Sequence, residues 1–321
     1  MEYLFLFVLL FVLELIYFKI ADKYNIIDRP NLRSSHNSVT LRGGGIIFYF
    51  GALAFFIYSG CQYPWFFLGL TLMTMVSFVD DILTLSNKSR LFIHFGSVLL
   101  MAYQLDLFNL PWYYLFLSFI VVVGVINSYN FMDGINGITA SYSLGVGALL
   151  MLVNNQVNFV DQRLLSYTLI AVLVFGFFNF RSKAKTFAGD VGAVAIAYIL
   201  LFSLGALIIK TGNLIYMLFL TVYGMDSVWT IVRRLSLKEN IFEAHRSHLY
   251  QYLGNEAGVN KLLISFLYGL IQFIIGLSVI WISNYDLSLQ VIYAGSLLVV
   301  ISIIYLAVKN FVVKNFVLNK V

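Results

Sequence analysis

Residues 193–209 read AVAIAYILLFSLGALII, seventeen positions without a charge, closed by Lys210. A lipid-spanning helix needs about 20 mostly apolar residues, and fewer where neighbours or local thinning help. This run is long enough to cross a bilayer. Comparable runs fall near 3–20, 44–59, 64–79, 91–105, 112–126, 137–153, 164–179, 212–232, 262–283 and 287–309, about eleven in all. They are continuously apolar, whereas barrel strands alternate in pieces of about 10 residues, so the expected spanning element is the helix. The predicted fold class is an all-α integral membrane protein of about eleven transmembrane helices. No repeat and no Pro-, Ser- or Gly-rich linker divides it, so residues 1–321 are read as one polytopic domain.

Composition points the same way. Of 321 residues, 61% are hydrophobic and 11% charged, against about 25% charged in a soluble domain, and the mean hydropathy is +0.89. The first segment has only Glu2 before its apolar run, and Tyr17-Phe18-Lys19 is not a small-residue cleavage site. It is read as a retained span. The single Cys61 excludes an intrachain disulfide framework. With the N-terminus placed outside, eighteen of the twenty Lys and Arg residues fall on the inner side, the exceptions being Arg163 and Lys210. Cytoplasmic loops carry the basic excess, so the expected topology is N-terminus out and C-terminus cytoplasmic. The net charge of +5 then belongs to topology and to anionic lipid or substrate, with no reason to invoke nucleic acid.

The inner loops hold the unusual residues. One apolar run ends in Val79-Asp80-Asp81, with Lys88 and Arg90 close behind. Neighbouring helical residues diverge by ~100°, so the two carboxylates cannot both point into one small site, and at ~5 Å they repel by roughly 3 kcal/mol at an effective dielectric near 20. A helix end beside water with a nearby cation is the plain reading. What favours a site is that Asp133 and Asp190 reach the same face from two other segments. Asn127, Asn130, Asp133 and Gly137 recur at helical spacing and make a polar stripe, which is either a hydrogen-bonded seam with glycines for close approach or a substrate groove. Phe187, two residues before Gly189-Asp190, is packing or a platform for a planar base. Asp226 lies within the ninth span, where burial costs up to ~2.5–3.5 kcal/mol; Arg233, Arg234 or a substrate-linked cation could be its partner, in a structural or functional pair.

Carboxylates, amides and glycines without a Cys/His pair at metal-ligand spacing suit a hard cation bound through oxygen. Mg²⁺ fits best, because it takes one or two protein carboxylates and uses substrate phosphates for the rest; Mn²⁺ is the expected substitute. Basic groups at the same face, Arg33, Arg42, Lys183, Lys185, His245, Arg246 and His248, imply a phosphate-bearing substrate, although each alone also serves as a topology-setting charge.

Four ordered signatures carry a resemblance that spans nearly the whole chain: Val79-Asp80-Asp81, the block from Asn130 through Asp133 and Asn136 to Gly137, Phe187-Ala188-Gly189-Asp190-Val191-Gly192, and His245-Arg246-Ser247-His248. The chain resembles the polyprenyl-phosphate N-acetylhexosamine-1-phosphate transferases, integral membrane enzymes of bacterial inner membranes. That resemblance implies Mg²⁺-dependent transfer of a sugar-1-phosphate from a UDP-N-acetyl sugar to undecaprenyl phosphate at the cytoplasmic face, with release of UMP. It also implies roles: Asp190 as metal ligand with Asn179 as a second; Asp80, Asp81 and Asp133 as catalytic carboxylates, Asp80 being the reactive member of its pair; Asn130, Asn136, Phe187, His245, Arg246 and His248 as substrate contacts, with Phe187 stacking on uracil. The partners are the two substrates and the bilayer, with a homodimer as candidate assembly.

Two departures narrow the expectation. Asn136 stands where many members have Asp, and His-Arg-Ser-His is less histidine-rich than the muramyl-pentapeptide branch. The first removes a negative charge from the polar block and leaves that position's role open; the second favours the branch that starts surface polysaccharides, including O-antigen, from a simple N-acetylhexosamine or 6-deoxy relative. The rivals are the muramoyl-pentapeptide transferase, an ion-coupled transporter and a CDP-alcohol phosphatidyltransferase. Transporter sites usually lie near the midplane with repeat symmetry, and the last rival's Asp-Gly-x-x-Ala-Arg run is absent, since Asp133-Gly134 continues Ile-Asn-Gly-Ile.

Overall fold

The computed structural model describes residues 1–30, 35, 39–83, 85–241 and 245–317, with residues 87 and 89 described by backbone alone. Arg33, among the expected cations, lies outside the described residues. The chain is helical almost throughout: α1 Glu2–Lys23, α2 Ile46–Tyr58, α3 Pro64–Leu83, α4 Asn87–Gln104, α5 Trp112–Met132, α6 Ile138–Val157, α7 Gln162–Asn179, α8 Gly189–Thr211, α9 Thr221–Ser236, the short α10 Leu249–Gln251, α11 Lys261–Ile282 and α12 Leu287–Val312. Each expected apolar run falls on a helix, the ninth on a 3₁₀ segment, Leu214–Leu220, that runs on into α9 to make one span, Leu214–Ser236. Among the described residues, nine helices are long and apolar enough to cross a membrane. The other two runs differ for physical reasons: α2 has 13 residues, and α4 opens on the polar turn Asn87-Lys88-Ser89-Arg90.

Helix starts follow capping chemistry. The Asp161 side chain accepts from the Arg163 N–H ahead of α7, and Asn260 accepts from Leu262 and Leu263 ahead of α11. The layout has a centre and a rim. In its most apolar stretch α8 is 78% buried, whereas α12 is 6% buried, so α8 is the core staff and α12 presents apolar side chains outward. Against α8 pack α2, α3, α5 and α6. Close approach is achieved by Gly45 and Gly192, where a Cβ on Gly45 would lie 2.4 Å from Gly192 Cα. Small residues are how membrane helices come near enough for dispersion contact. Farther along α8, Phe66 of α3 stacks on Phe202 at 4.1 Å between ring centres.

One small sheet positions the site. β1 Ile27–Asp28 and β2 Thr40–Leu41 pair antiparallel, Ile27 opposite Leu41 and Asp28 opposite Thr40. Leu41 also bridges Thr186. The strap continues through Phe187 N–H to Leu41 O at 2.8 Å, Gly44 N–H to Phe187 O at 2.9 Å and Gly45 N–H to Ala188 O at 3.2 Å. This zipper brings Arg42 beside the first turn of α8.

Candidate active site

Four helices each contribute one turn to a narrow, partly open cleft. Ser77 and Asp80 come from α3, Arg90 and His94 from α4, Ile126, Asn127 and Asn130 from α5, and Asp190 and Val194 from α8. The spacings 77/80, 90/94, 126/130 and 190/194 place each set on a single helix face. Asp80 and Asp190, expected to converge with Asp133, therefore share one cavity, which Asn130 also lines and Asp133 does not.

The adjacent aspartates have different jobs. Asp80 accepts from Arg90 Nη1 at 2.6 Å and from the Leu85 N–H at 2.7 Å while lining the cleft. Asp81 turns the other way. Its Oδ1 takes Arg42 Nε at 2.8 Å and the Asp190 N–H at 3.1 Å, its Oδ2 takes the Val191 N–H at 3.1 Å, and its side chain has no exposed surface. Asp81 thus caps α8 from another helix, satisfying N–H groups that a helix start leaves without partners. Both oxygens of Asp81, expected to be catalytic, hold the start of α8, and Asp81 does not line the cleft. Arg42 spans the two carboxylates, reaching Asp190 Oδ1 at 3.0 Å, and Asp190 keeps 19% of its side chain exposed.

Asp133 follows α5 directly and accepts Thr139 Oγ1 at 2.6 Å. The Gly189 N–H also faces it, so the α8 start is held from two sides. Burial first, with the negative charge of Asp190 adding to it, pushes the Asp133 carboxyl up to about 6 against the opposing Thr139 hydrogen bond. The unfolded value is about 3.9. A carboxyl raised on folding adds stability that is complete below about pH 4 and is lost as pH rises through about 6. Melting temperatures of the detergent-solubilised protein between pH 4 and 7.5 should carry this slope, worth roughly 2–3 kcal/mol, and Asp133→Asn should flatten it. An unchanged slope in that variant would remove Asp133 as its source.

Two asparagines prove to be staples. Asn179 Oδ1 accepts the Gly137 N–H at 2.7 Å and its Nδ2 donates to Thr186 O at 2.8 Å, all in a buried setting. Expected as second metal ligand, it has both polar ends in use and does not line the cleft. Gly137 has φ +87°, and a Cβ there would strike the Phe180 ring, so glycine is required for the turn Asn179 grips. Asn136 Nδ2 donates to Arg181 O at 2.7 Å and Ser182 O at 3.1 Å, which makes it a clasp between loops in place of the expected substrate contact. Phe187 is half-buried, held by the backbone zipper, and does not line the cleft.

The histidine segment packs against the end of α5. Phe131 lies 6.0 Å from the His245 ring and 6.3 Å from the His248 ring, and Tyr250 OH donates to Phe131 O at 2.9 Å. A Cβ on Gly134 would collide with that same hydroxyl. Burial first, then His248 and Arg234, lowers the His245 imidazole to about 4; it is neutral at pH 7 and corrects the expectation of a cation there. Arg246 pairs with Glu256. Beneath them Asp226, whose partner was open in sequence, is met by neither Arg233 nor Arg234. It accepts from His248 Nδ1 at 3.3 Å, the Leu249 N–H at 3.0 Å, Tyr268 at 2.8 Å, Tyr305 at 3.0 Å and Thr230 at 3.3 Å. Arg234 instead engages Glu239 at 3.0 Å.

Among the described residues no group of three or more His, Cys, Asp and Glu side chains is arranged to hold a metal. The cleft offers oxygen from Asp80, Asp190 and Asn130, a donor set suited to an ion that takes one or two protein carboxylates. Of these, Arg42 and Arg90 flank the carboxylates.

Acidic, amide and guanidinium groups from four helices of an apolar helical bundle thus meet in one cleft. The model described as "Glycosyl transferase family 4" matches residues 63–211, which include all of the cleft. Over 86% of this chain and 84% of its own length, the "Probable undecaprenyl-phosphate N-acetylglucosaminyl 1-phosphate transferase" of Bacillus subtilis is 25% identical. The "Undecaprenyl-phosphate alpha-N-acetylglucosaminyl 1-phosphate transferase" of Thermotoga maritima is 26% identical over 80% of this chain and 83% of its own. A "Phospho-N-acetylmuramoyl-pentapeptide-transferase" of Streptococcus gordonii is 31% identical over only 40% and 45%. The match to glycosyl transferase family 4 thus covers residues 63–211, and the relatives matched over most of the chain are named N-acetylglucosaminyl 1-phosphate transferases.

Proposed function

We propose that the protein transfers a sugar-1-phosphate from a UDP-N-acetylhexosamine to undecaprenyl phosphate, releasing UMP, at the cytoplasmic face of a bacterial inner membrane, as the first step of a surface polysaccharide. The observation that carries this reading is the convergence of Asp80, Asn130 and Asp190 with Arg90 in one cleft inside the family-matched region. The names of the relatives support N-acetylglucosamine as the sugar. Displacement at phosphorus demands mainly alignment and neutralisation of phosphate charge, and a polyisoprenoid nucleophile requires a site at the lipid boundary.

Asp190 and Asp80 would hold Mg²⁺, with Asn130 as a neutral oxygen donor. When bound, the ion neutralises charge on the phosphoryl oxygens and orients them. The chain's own groups do the rest: Arg42 fixes the Asp190 carboxylate, Arg90 fixes Asp80, and the Asp81 cap fixes the helix that carries Asp190. The eighteen-to-two distribution of basic residues supports placing this end of the bundle inside.

The test is direct. Purified protein with Mg²⁺, undecaprenyl phosphate and a panel of UDP-N-acetyl sugars is expected to release UMP with UDP-N-acetylglucosamine or a 6-deoxy relative, and EDTA is expected to stop it. Release of UDP would indicate ordinary glycosyl transfer and overturn the reading.

A further inference from the structure

Among the described residues that line the cleft, His94 alone has a buried polar atom left over. Its Nε2 is shut off from solvent and meets no hydrogen-bond partner in the protein. Buried polar atoms are nearly always paired, and one left without a partner on a residue that lines a cleft marks a place for a ligand to meet it. His94 lies on the same face of α4 as Arg90, one turn farther into the bundle, and within electrostatic reach of Arg90, Asp190 and Asp80. Arg90 is committed to Asp80 at 2.6 Å. An imidazole N–H beside a guanidinium and the Asn130 amide is a donor set for phosphoryl oxygen.

The surroundings say which phosphate. Next to His94 on α4, Leu91, Phe92 and Phe95 are 61%, 77% and 46% exposed, so the helix that turns His94 inward presents apolar surface outward, where lipid lies. Phe187 and Asp133, on the loops at the bundle end, do not line this cleft. A headgroup that stays attached to an isoprenoid tail can reach His94 from that side, whereas a nucleotide arrives from water.

We propose that His94 is a phosphate-binding residue for the lipid acceptor, donating from Nε2 to the phosphate monoester of the polyprenyl chain. This rests on the transferase reading above, and no other role for the cleft is assumed. A neutral donor here secures the acceptor without adding a second fixed cation beside Asp190.

The experiment uses the full chain in nanodiscs with His94→Ala and His94→Gln, each checked for an unchanged melting temperature. His94→Ala is expected to raise KM for undecaprenyl phosphate about tenfold and to leave KM for the UDP-sugar within twofold. His94→Gln, whose amide N–H reaches the same position, should recover most of the loss. Titration with a short-chain polyprenyl phosphate, followed by native mass spectrometry, reads the same contact without turnover and should show the same tenfold weakening in His94→Ala. An unchanged acceptor affinity in that variant, or a rise confined to the UDP-sugar KM, overturns the proposal. Wild-type protein that binds the lipid phosphate but releases no UMP with any sugar would defeat the transferase reading alone, because the titration still reports on His94.

Discussion

Asp190→Asn is expected to reduce UMP release by at least about 10³, equivalent to about 4 kcal/mol of lost transition-state stabilisation, while melting within a few degrees of wild type. The asymmetry comes from Arg42. Its guanidinium holds Asp190 at 3.0 Å but also holds Asp81 at 2.8 Å, so removing the Asp190 charge still leaves Arg42 paired. Asp81→Ala should do the opposite damage. It would strip the Asp190 and Val191 N–H groups of their acceptor and leave Arg42 with one partner. Breaking a buried pair by removing one member costs roughly 3–5 kcal/mol, so this variant should melt far lower, and its activity should fall with the folded fraction. Melting curves and UMP release measured on both variants separate the two roles. Normal turnover in Asp190→Asn would remove that residue from the phosphate site. Wild-type melting with lost turnover in Asp81→Ala would return Asp81 to the chemistry.

That contrast marks the boundary of what the chain discloses on its own. The apolar runs are legible because each spanning helix must satisfy its backbone internally and meet lipid or neighbours with apolar side chains. The cleft is half legible: Asp80, Asn130 and Asp190 stand out as polar groups at the ends of apolar runs. Which of two adjacent carboxylates faces the cleft is set by the approach of α8, 109 residues away in sequence, and helical geometry alone states only that they diverge. Asn136 and Asn179 look like ligands in sequence because amides serve equally as ligands and as backbone clasps. The structure separates the two by showing carbonyls and N–H groups of the Arg181–Ser182, Gly137 and Thr186 segments at their side chains. A signal for His94 was present: it is a polar residue within an apolar run, four positions after Arg90, on the face that a functional cation already marks.

Asp226→Ala, on α9, should be the most destabilising single change beneath the histidine segment, and its effect should appear in that segment first. A carboxylate 1% exposed inside a membrane helix is tolerated because five donors converge on it, from His248, Leu249, Tyr268, Tyr305 and Thr230. Those donors come from α9, α10, α11 and α12, so one side chain ties four elements together. Lys309 completes the network from α12 by donating to Tyr305 at 2.7 Å and Thr230 at 3.0 Å. Because a carboxylate only accepts, His248 carries its proton on Nδ1, which fixes the ring against Phe131 and orients Nε2. Truncation leaves several buried donors unpaired at once, at a cost of roughly 3–5 kcal/mol, and frees the 245–251 segment from its anchor. The expected result is a large drop in melting temperature together with faster amide hydrogen exchange across residues 245–251, while exchange along the core of α8 keeps its protection in whatever fraction remains folded. Asp226→Asn keeps one oxygen acceptor and should lie between. Since the segment abuts Phe131, the neighbour of Asn130 in the cleft wall, loosening it should also lower turnover. Unchanged exchange at 245–251 in Asp226→Ala would mean that the histidines are held by their ring packing on Phe131 and Tyr250 alone, and that the buried carboxylate is not their anchor.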